Sequence, residues 1–323
     1  MSTPDTNSSI GASWPPIEAS NNRLRGFYDL PVNDQAEAVN FANEFFYYQS
    51  VVTDHPSIDR LSIRLITDIR QLAILESLGV TIEAAIPLRS NPDQLLTYTA
   101  WNAPARQASE ADLQRHWQLL TRTVITAEPQ RANLPHGLTA QIIDEQVPDE
   151  ARLALSPAFA ELYANFGYNP DETAELVTNP ANTIAYIADE TGILSTAMAE
   201  RATIKLTGQS DLELAEVTEA ITRPDQRGNG LYTAISDHLV RHLLEHQTLA
   251  LDALYGESNL AMVGVIRAAR HNGRRFSFQD RRQLGINQPY FGILPQNFHV
   301  TDGQETRPYN DFALSYYPLG ASA

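Results

Sequence analysis

The sequence has no cysteine, a single lysine and few basic residues of any kind. The missing cysteines remove disulfides, thiolate nucleophiles and cysteine-ligated metal sites together. Only 23 basic residues stand against 39 acidic ones, Lys205 being the one lysine, and the formal charge is -16. Such a balance repels a phosphate backbone and an anionic membrane surface. Nucleic acid and membrane are therefore not expected partners. A cationic amine suits the charge, although an acidic surface also serves solubility alone. Long apolar runs are absent too, none approaching the roughly 20 residues a membrane-spanning helix needs. Residues 1–22, "MSTPDTNSSIGASWPPIEASNN", lack the basic and apolar regions of a secretory signal. They read as a disordered tail, and a cytoplasmic location is expected.

What is present is a chain of 323 residues, 43% hydrophobic, long enough for two cores of ordinary size. Strand and helix signals alternate along it. "DQAEAVNFANEFFYYQ" has helical spacing, "RLSIRLI" alternates as a strand does, and "DIRQLAILESLGV" is an amphipathic helix closed by Gly79. Strands "TIEAAIPL" and "QLLTYTAW" complete an N-terminal α/β domain over residues 23–106. A helical linker, "SEADLQRHWQLLTRTVITAE" and its Pro- and Asn-containing sequel, fills 107–136. The second domain, 137–319, reads as strand "LTAQIIDEQ", a helical stretch with a break at Pro157, helix "DETAELVTN", and two strands turning at Glu190, Thr191 and Gly192. Strand "LELAEVTEAIT", helix "GLYTAISDHLVRHLLEH", strand "TLALDALY", helix "LAMVGVIRAARHNG" and closing strands near "FGILPQNFHV" and "DFALSYYP" follow.

The junction "EAITRPDQRGNGLYT" carries the strongest signal. Gly228 and Gly230 let the chain turn tightly after a strand and bring its amides close to a ligand. The following helix adds unpaired N–H groups and a positive dipole end, an arrangement suited to a diphosphate. Neither a Walker A loop nor a Rossmann G-x-G-x-x-G is present. Taken alone, "RGNG" is equally an ordinary turn before a helix.

In context, "PDQRGNGL" after a strand ending in "AIT" resembles the acyl-CoA loop of the GNAT N-acetyltransferases. Over most of the chain, "LSIRLITDIRQLAILESLGVTIEAAIPL", "LTYTA", "AEVTEAITRPDQRGNGL", "FGILPQNFHV" and "YNDFALSYYP" are similar to segments of bacterial β-lysine N-acetyltransferases. The resemblance implies the GNAT acyltransferase fold, an α/β (α+β) architecture with a mixed, mostly antiparallel sheet flanked by helices and a smaller N-terminal α/β domain. It implies acetyl-CoA as acyl donor. The CoA diphosphate is expected on Arg227, Gly228, Asn229, Gly230, Leu231, Tyr232 and Thr233, with Ala220, Ile221 and Thr222 pairing with pantetheine. The family pattern has a smaller residue where Tyr232 stands.

Acetyl transfer requires a neutral amine, so a base must take a proton. Glu216, where many GNAT enzymes carry a glutamate, is the first candidate. Glu219 is the second, pointing to the opposite face if the strand is regular. Either is also readable as a solvated or ion-paired strand carboxylate. The tyrosine that many GNAT enzymes place four residues before the last helix's glycine is replaced by Ala269, and Tyr255, Ser258, His271 or Tyr290 are the available substitutes. Asp252, alone in an apolar strand, would meet a substrate ammonium or an arginine such as those in "NGRRF". Asn297 reads as a substrate contact or a turn residue. His238, His242 and His246 recur every four residues without a fourth ligand, so no metal is expected. The acceptor is expected to be a small amine, polyamine-like molecule or amino acid. A non-catalytic CoA-binding or regulatory module is the alternative, and the oligomeric state stays open, a homodimer included.

Overall fold

The structure is a computed structural model and describes residues 17–18, 23–104 except 56, 57 and 92, then 118, 122, 133–246 except 165, 166, 207 and 209, 251–276 except 260–262, 292–295 and 309–317. The helix expected around 109–128, Tyr290 and Asn297 fall outside these described residues, apart from 118 and 122.

The first unit contains β1 (Ile17–Glu18), β2 (Arg23–Val32), α1 (Gln35–Thr53), β3 (Arg60–Asp68), α2 (Ile69–Ser77), β4 (Ile82–Pro87) and β5 (Gln94–Asn102). Its sheet runs β1-β2-β3-β5-β4, with β2 parallel to β3 and the other pairs antiparallel. β1 lies in the segment read as a tail and pairs Ile17 with Leu24. Helix α1 starts at Asp34, whose carboxylate accepts from the Glu37 amide while Glu37 reaches back to the Asp34 N–H, a reciprocal cap. Phe41 and Phe45 fill the core beneath α1. At α2 the cap is one-sided, the Asp68 carboxylate accepting from the Arg70 and Gln71 amides, and Gly79 (φ +90°) turns the chain out of the helix.

The second unit contains β6 (Ala140–Ile143), α3 (Asp149–Tyr163), α4 (Pro170–Thr178), β7 (Asn182–Asp189), β8 (Gly192–Ile204), β9 (Leu212–Thr222), α5 (Leu231–His246), β10 (Ala253–Asn259), α6 (Val263–His271), β11 (Arg275–Phe276), β12 (Gly292–Pro295) and β13 (Tyr309–Tyr316). Its sheet runs β11-β13-β10-β9-β8-β7-β6, with β12 also on β13, and all pairs are antiparallel except β9 with β10. The α/β class with mixed sheets flanked by helices is thus the one observed. Pro157 does not break α3, which runs through it. The amide that proline lacks would bond the carbonyl of Leu153, a residue 58% exposed, where water serves instead. The strand read over "TLALDALY" starts only at Ala253.

The two sheets face each other across a shared apolar cluster. Ile66, Ala84, Ile86, Leu96 and Tyr98 of the first sheet pack on Leu212, Leu214, Ala253, Tyr255 and Leu314 of the second. With α1 and α2 on its other face, the first sheet is covered on both sides, which is why β3 is buried nearly throughout. Arg152 is fully buried and donates to the carbonyls of Asp144, Val147, Val177, Asn179 and Asn182, tying α3 to α4, β6 and β7.

The order β2-α1-β3-α2-β4-β5 in the first unit matches β9-α5-β10-α6-β11-β13 in the second. In each, a parallel pair is followed by two antiparallel neighbours in the same spatial order. Both second helices end alike. Val80 N–H bonds the Leu75 carbonyl after Gly79, and Arg274 N–H bonds the Ala269 carbonyl after Gly273 (φ +81°).

Candidate active site

Strands β9 and β10 are parallel neighbours for only three residue pairs, Leu214 with Ala253 to Glu216 with Tyr255. Beyond that β9 runs on to Thr222 and β10 to Asn259 without pairing to each other, so a wedge opens between them. Gly256 stands where they part. A Cβ there would lie 2.6 Å from the Val217 carbonyl oxygen, so no larger residue fits this approach.

On its other edge β9 bulges. Thr218 pairs with Met198 and Ile221 with Thr196, leaving Glu219 and Ala220 opposite a single residue. Glu219 takes φ +46°, the one left-handed non-glycine among the described residues. The bulge overturns the expectation of opposite faces. Glu219 is turned to the side of Glu216, whose charge acts on it. Tyr168 hydrogen-bonds the Glu219 carboxylate, and Tyr163 Oη donates to the Glu219 carbonyl at 3.3 Å. Burial, then the neighbouring Glu216, raises the Glu219 pKa above the ordinary value, while Tyr168 pulls partly the other way. Burial and Glu219 likewise raise both tyrosines.

Glu216 faces the first unit. Its Oε2 accepts from Arg25 Nη2 at 3.5 Å and from Tyr255 Oη at 3.3 Å, and Arg64 Nη1 donates to the same tyrosine oxygen at 2.9 Å. Tyr98 stacks edge-on against Tyr255 with centroids 6.1 Å apart. Burial opposes the charge on Arg25, but Glu216, Glu257 and the tyrosine oxygens together outweigh it and raise its pKa. Burial and Glu216 push Tyr255 up to about 12. A mixed-charge network therefore crosses the interface between the two units at the end of the paired stretch.

The glycine loop follows β9. Arg223 fixes its start through Asp225 (2.7 Å) and Thr191 (2.9 Å). Gly228 (φ +84°) and Gly230 (φ +76°) hold backbone that other residues rarely adopt, with nothing within 4 Å of where a Cβ would stand. The first intrahelical bond of α5 runs from the Ala234 N–H to the Gly230 carbonyl. The amides of Leu231, Tyr232 and Thr233 precede it, and no acidic residue stands in this first turn. A cavity of about 390 Å³ lies against them, lined by Ala220, Thr222, Gln226, Arg227, Gly228, Gly230, Leu231, Tyr232 and Thr233, with Gly264 and Val265 from the first turn of α6. Free amides at a helix start, an exposed arginine and open space beside two left-handed glycines fit an anionic diphosphate. Of the residues expected in this role, Ile221 is buried on the α3 side and Asn229 does not line the cavity.

Among the described residues no arginine pairs with Asp252. Its Oδ2 accepts from the Glu213 N–H at 2.9 Å and its own N–H bonds the Glu213 carbonyl, clamping the entry of β10 to β9. Its burial is satisfied by backbone. His242 pairs with Asp144 at 3.0 Å, and among the described residues no three ligating side chains gather. Ala269, on α6, is buried. Tyr163 and Tyr168 were not anticipated. "ELYANFGY" carried no signal beyond two tyrosines before a turn.

No family model and no curated protein matches the sequence. Solved N-acetyltransferases do resemble the structure. NAA60 from Arabidopsis thaliana in complex with acetyl-CoA is 10% identical, covering 56% of this chain and 97% of its own, with a TM-score of 0.39. A ribosomal-protein-alanine N-acetyltransferase from Escherichia coli is 13% identical, with 57% and 97% covered and a TM-score of 0.37. A spermidine N-acetyltransferase chimera from Vibrio cholerae is 14% identical, with 56% and 94% covered and a TM-score of 0.35. At such identities and scores these likenesses assign no residue a role. Among the described residues no helix is long and apolar enough to cross a membrane.

Proposed function

We propose that the chain is an acetyl- or acyl-CoA-dependent N-acyltransferase of the GNAT type, passing an acetyl group to the amine of a small acceptor. The wedge between β9 and β10, ending in the uncapped start of α5, carries this reading. It offers an unpaired strand edge for the amides of a pantetheine arm and, at its mouth, amides and Arg227 for a diphosphate. The cavity side of Gly228–Thr233 takes the phosphates, and Ala220 and Thr222 take the arm.

On the other side of the sheet lies the acceptor. A free alkylamine is mostly protonated at neutral pH and has to lose a proton before it attacks. Glu219 serves as base in this reading. It sits in the bulge, and its raised proton affinity makes it more basic than a solvated carboxylate. Glu216, paired across the ladder with Glu200, keeps the site negative toward an approaching ammonium while Arg25 holds it in place. The first unit, residues 23–106, is a half-copy of the second that supplies Arg25, Arg64 and Tyr98 to the acceptor wall. Residues 1–22 and 107–136 are taken as tail and linker, 137–319 as the transferase unit, and the location as cytoplasmic.

The test is release of free CoA from acetyl-CoA in the presence of a panel of amines and amino acids. Amine-dependent release is the expected result. CoA binding without release by any acceptor would favour the alternative of a regulatory CoA-binding module, to which the small, buried Ala269 lends support because it removes the usual acid.

A further inference from the structure

Arg274 follows Gly273 at the end of α6, and its side chain is among the most deeply buried in the protein, with the residue 1% exposed. Its Nε–H donates to Tyr317 Oη at 3.0 Å and Nη1 to Ser315 Oγ at 3.5 Å, while the guanidinium lies 5.1 Å from the centre of the Tyr317 ring. Among the described residues Nη2 has no hydrogen-bond partner and no carboxylate stands within ion-pair distance. The titratable groups around it are Tyr317 and Tyr232, with Asp237 acting on Tyr317. A buried cation with neither an anion nor a full set of acceptors is strongly unfavourable, and an apolar side chain of equal length would pack as well.

Its position supplies a reason for the charge. A Cβ on Gly256 would lie 2.8 Å from Arg274 Nη1 and 2.6 Å from the Val217 oxygen, so the guanidinium stands where β9 and β10 part. Tyr232, whose hydroxyl acts on the Arg274 guanidinium, lines the cavity at the start of α5. We propose that Arg274 binds the sulfur of CoA and donates hydrogen bonds to the thiolate that leaves when the acyl group is transferred. This rests on the acyl-CoA reading above. The acceptor nitrogen attacks the thioester carbonyl carbon, the C–N bond forms, and the C–S bond breaks with its electron pair going to sulfur. The ammonium proton passes to Glu219 before the attack, and the second N–H proton, made acidic once the C–N bond has formed, passes to water. Arg274 keeps its own protons throughout, so CoA departs as a thiolate and no acid is needed at position 269.

The experiment is a spectroscopic titration of CoA bound to the full chain, following thiolate absorbance against a desulfo-CoA control. The chain has no cysteine, so the difference signal belongs to CoA alone. A free thiol ionises near pH 8.5. In the wild type, bound CoA is expected to ionise at least about tenfold more readily, one pH unit lower, through the nearby cation. Arg274→Met should abolish the shift and lower kcat with little change in KM for acetyl-CoA, and Arg274→Lys should retain part of it. CoA that binds wild type with an ordinary thiol overturns the role of Arg274 and leaves the acyltransferase reading standing, as does an unchanged shift in Arg274→Met. Failure of the wild type to bind CoA overturns both. Should the Met variant not fold, the wild-type and Lys titrations decide the matter.

Discussion

Replacing Glu219 by Gln separates a catalytic carboxylate from a structural one. The substitution preserves shape and hydrogen-bonding reach toward Tyr168 while removing basicity. Loss of a general base lowers turnover by about 100- to 10,000-fold, roughly 3–5 kcal/mol of barrier. Stability should move the other way. The Glu219 pKa is raised in the folded protein above its ordinary 4.5, mainly by burial. The folded state then binds the proton more tightly than the unfolded chain does. Its contribution to stability is complete below pH 4.5 and is lost as pH rises through the folded value. Above its folded pKa the ionised, buried Glu219 is a liability that Gln removes. Thermal melts at pH 7 should thus show Glu219→Gln as stable as wild type or more so, with any advantage fading on acidification. Rates with acetyl-CoA and a saturating amine give the other half. The wild-type kcat should rise with pH through the raised pKa, and the variant should lack that limb. A variant with wild-type turnover at neutral pH would refute the assignment and return the role to Glu216 or to water. Lost turnover with lost stability would mark a packing defect.

Three further outcomes test the frame around that carboxylate. Gly228→Val, at φ +84° with open space around it, should fold with a local penalty of about 1–3 kcal/mol, yet lose CoA affinity by calorimetry; unchanged affinity would remove the loop from the site. Gly256→Ala forces a methyl to within 2.6 Å of a backbone oxygen, an overpacking expected to cost about 1–3 kcal/mol, read as a lower denaturant midpoint; a wild-type midpoint would mean that the strands part with slack. Arg152→Met strands the carbonyls of Asp144, Val147, Val177, Asn179 and Asn182 and should destabilise the fold by about 3–5 kcal/mol, since partial solvation spares some of them; a loss under about 1 kcal/mol would show that water replaces the guanidinium.

The loop was legible in the sequence because its chemistry is local. Gly228 and Gly230 take backbone angles that other side chains resist, and their position between a strand and an amphipathic helix follows from periodicity alone. The bulge was not legible. Nothing in "AEVTEAIT" marks Glu219 as left-handed, and regular alternation sends it to the wrong face. Asp252 misled for a related reason: a lone carboxylate in an apolar strand suggests a charged partner, but the backbone N–H of Glu213, 39 residues away, satisfies it. The contact of Arg25 with Glu216 spans 191 positions and that of Tyr163 with Glu219 spans 56. Such pairs arise from how sheets are stacked, which local patterning does not encode. Arg274 read as one arginine in "NGRRF", with no hint of burial.

The repeated topology sets the proposed anion site of one unit against a closed counterpart in the other. In the second unit the parallel strands β9 and β10 stop pairing after three residues, and the helix that follows β9 begins with two glycines and free amides. In the first unit the equivalent strands β2 and β3 pair continuously from Arg23 with Arg60 to Tyr28 with Leu65 and again at Val32 with Thr67, so no slot opens between them. The equivalent helix α1 begins with Asp34 and Glu37, whose carboxylates occupy the amides that a phosphate would need and repel it besides. Position in the sheet is the same and the chemistry is reversed. A unit that has neither slot nor free amides is left with its sheet face, and that face meets Glu216 through Arg25 and Tyr255 through Arg64. In the proposed acyltransferase, the half without the donor site is then the half able to shape what the acceptor touches.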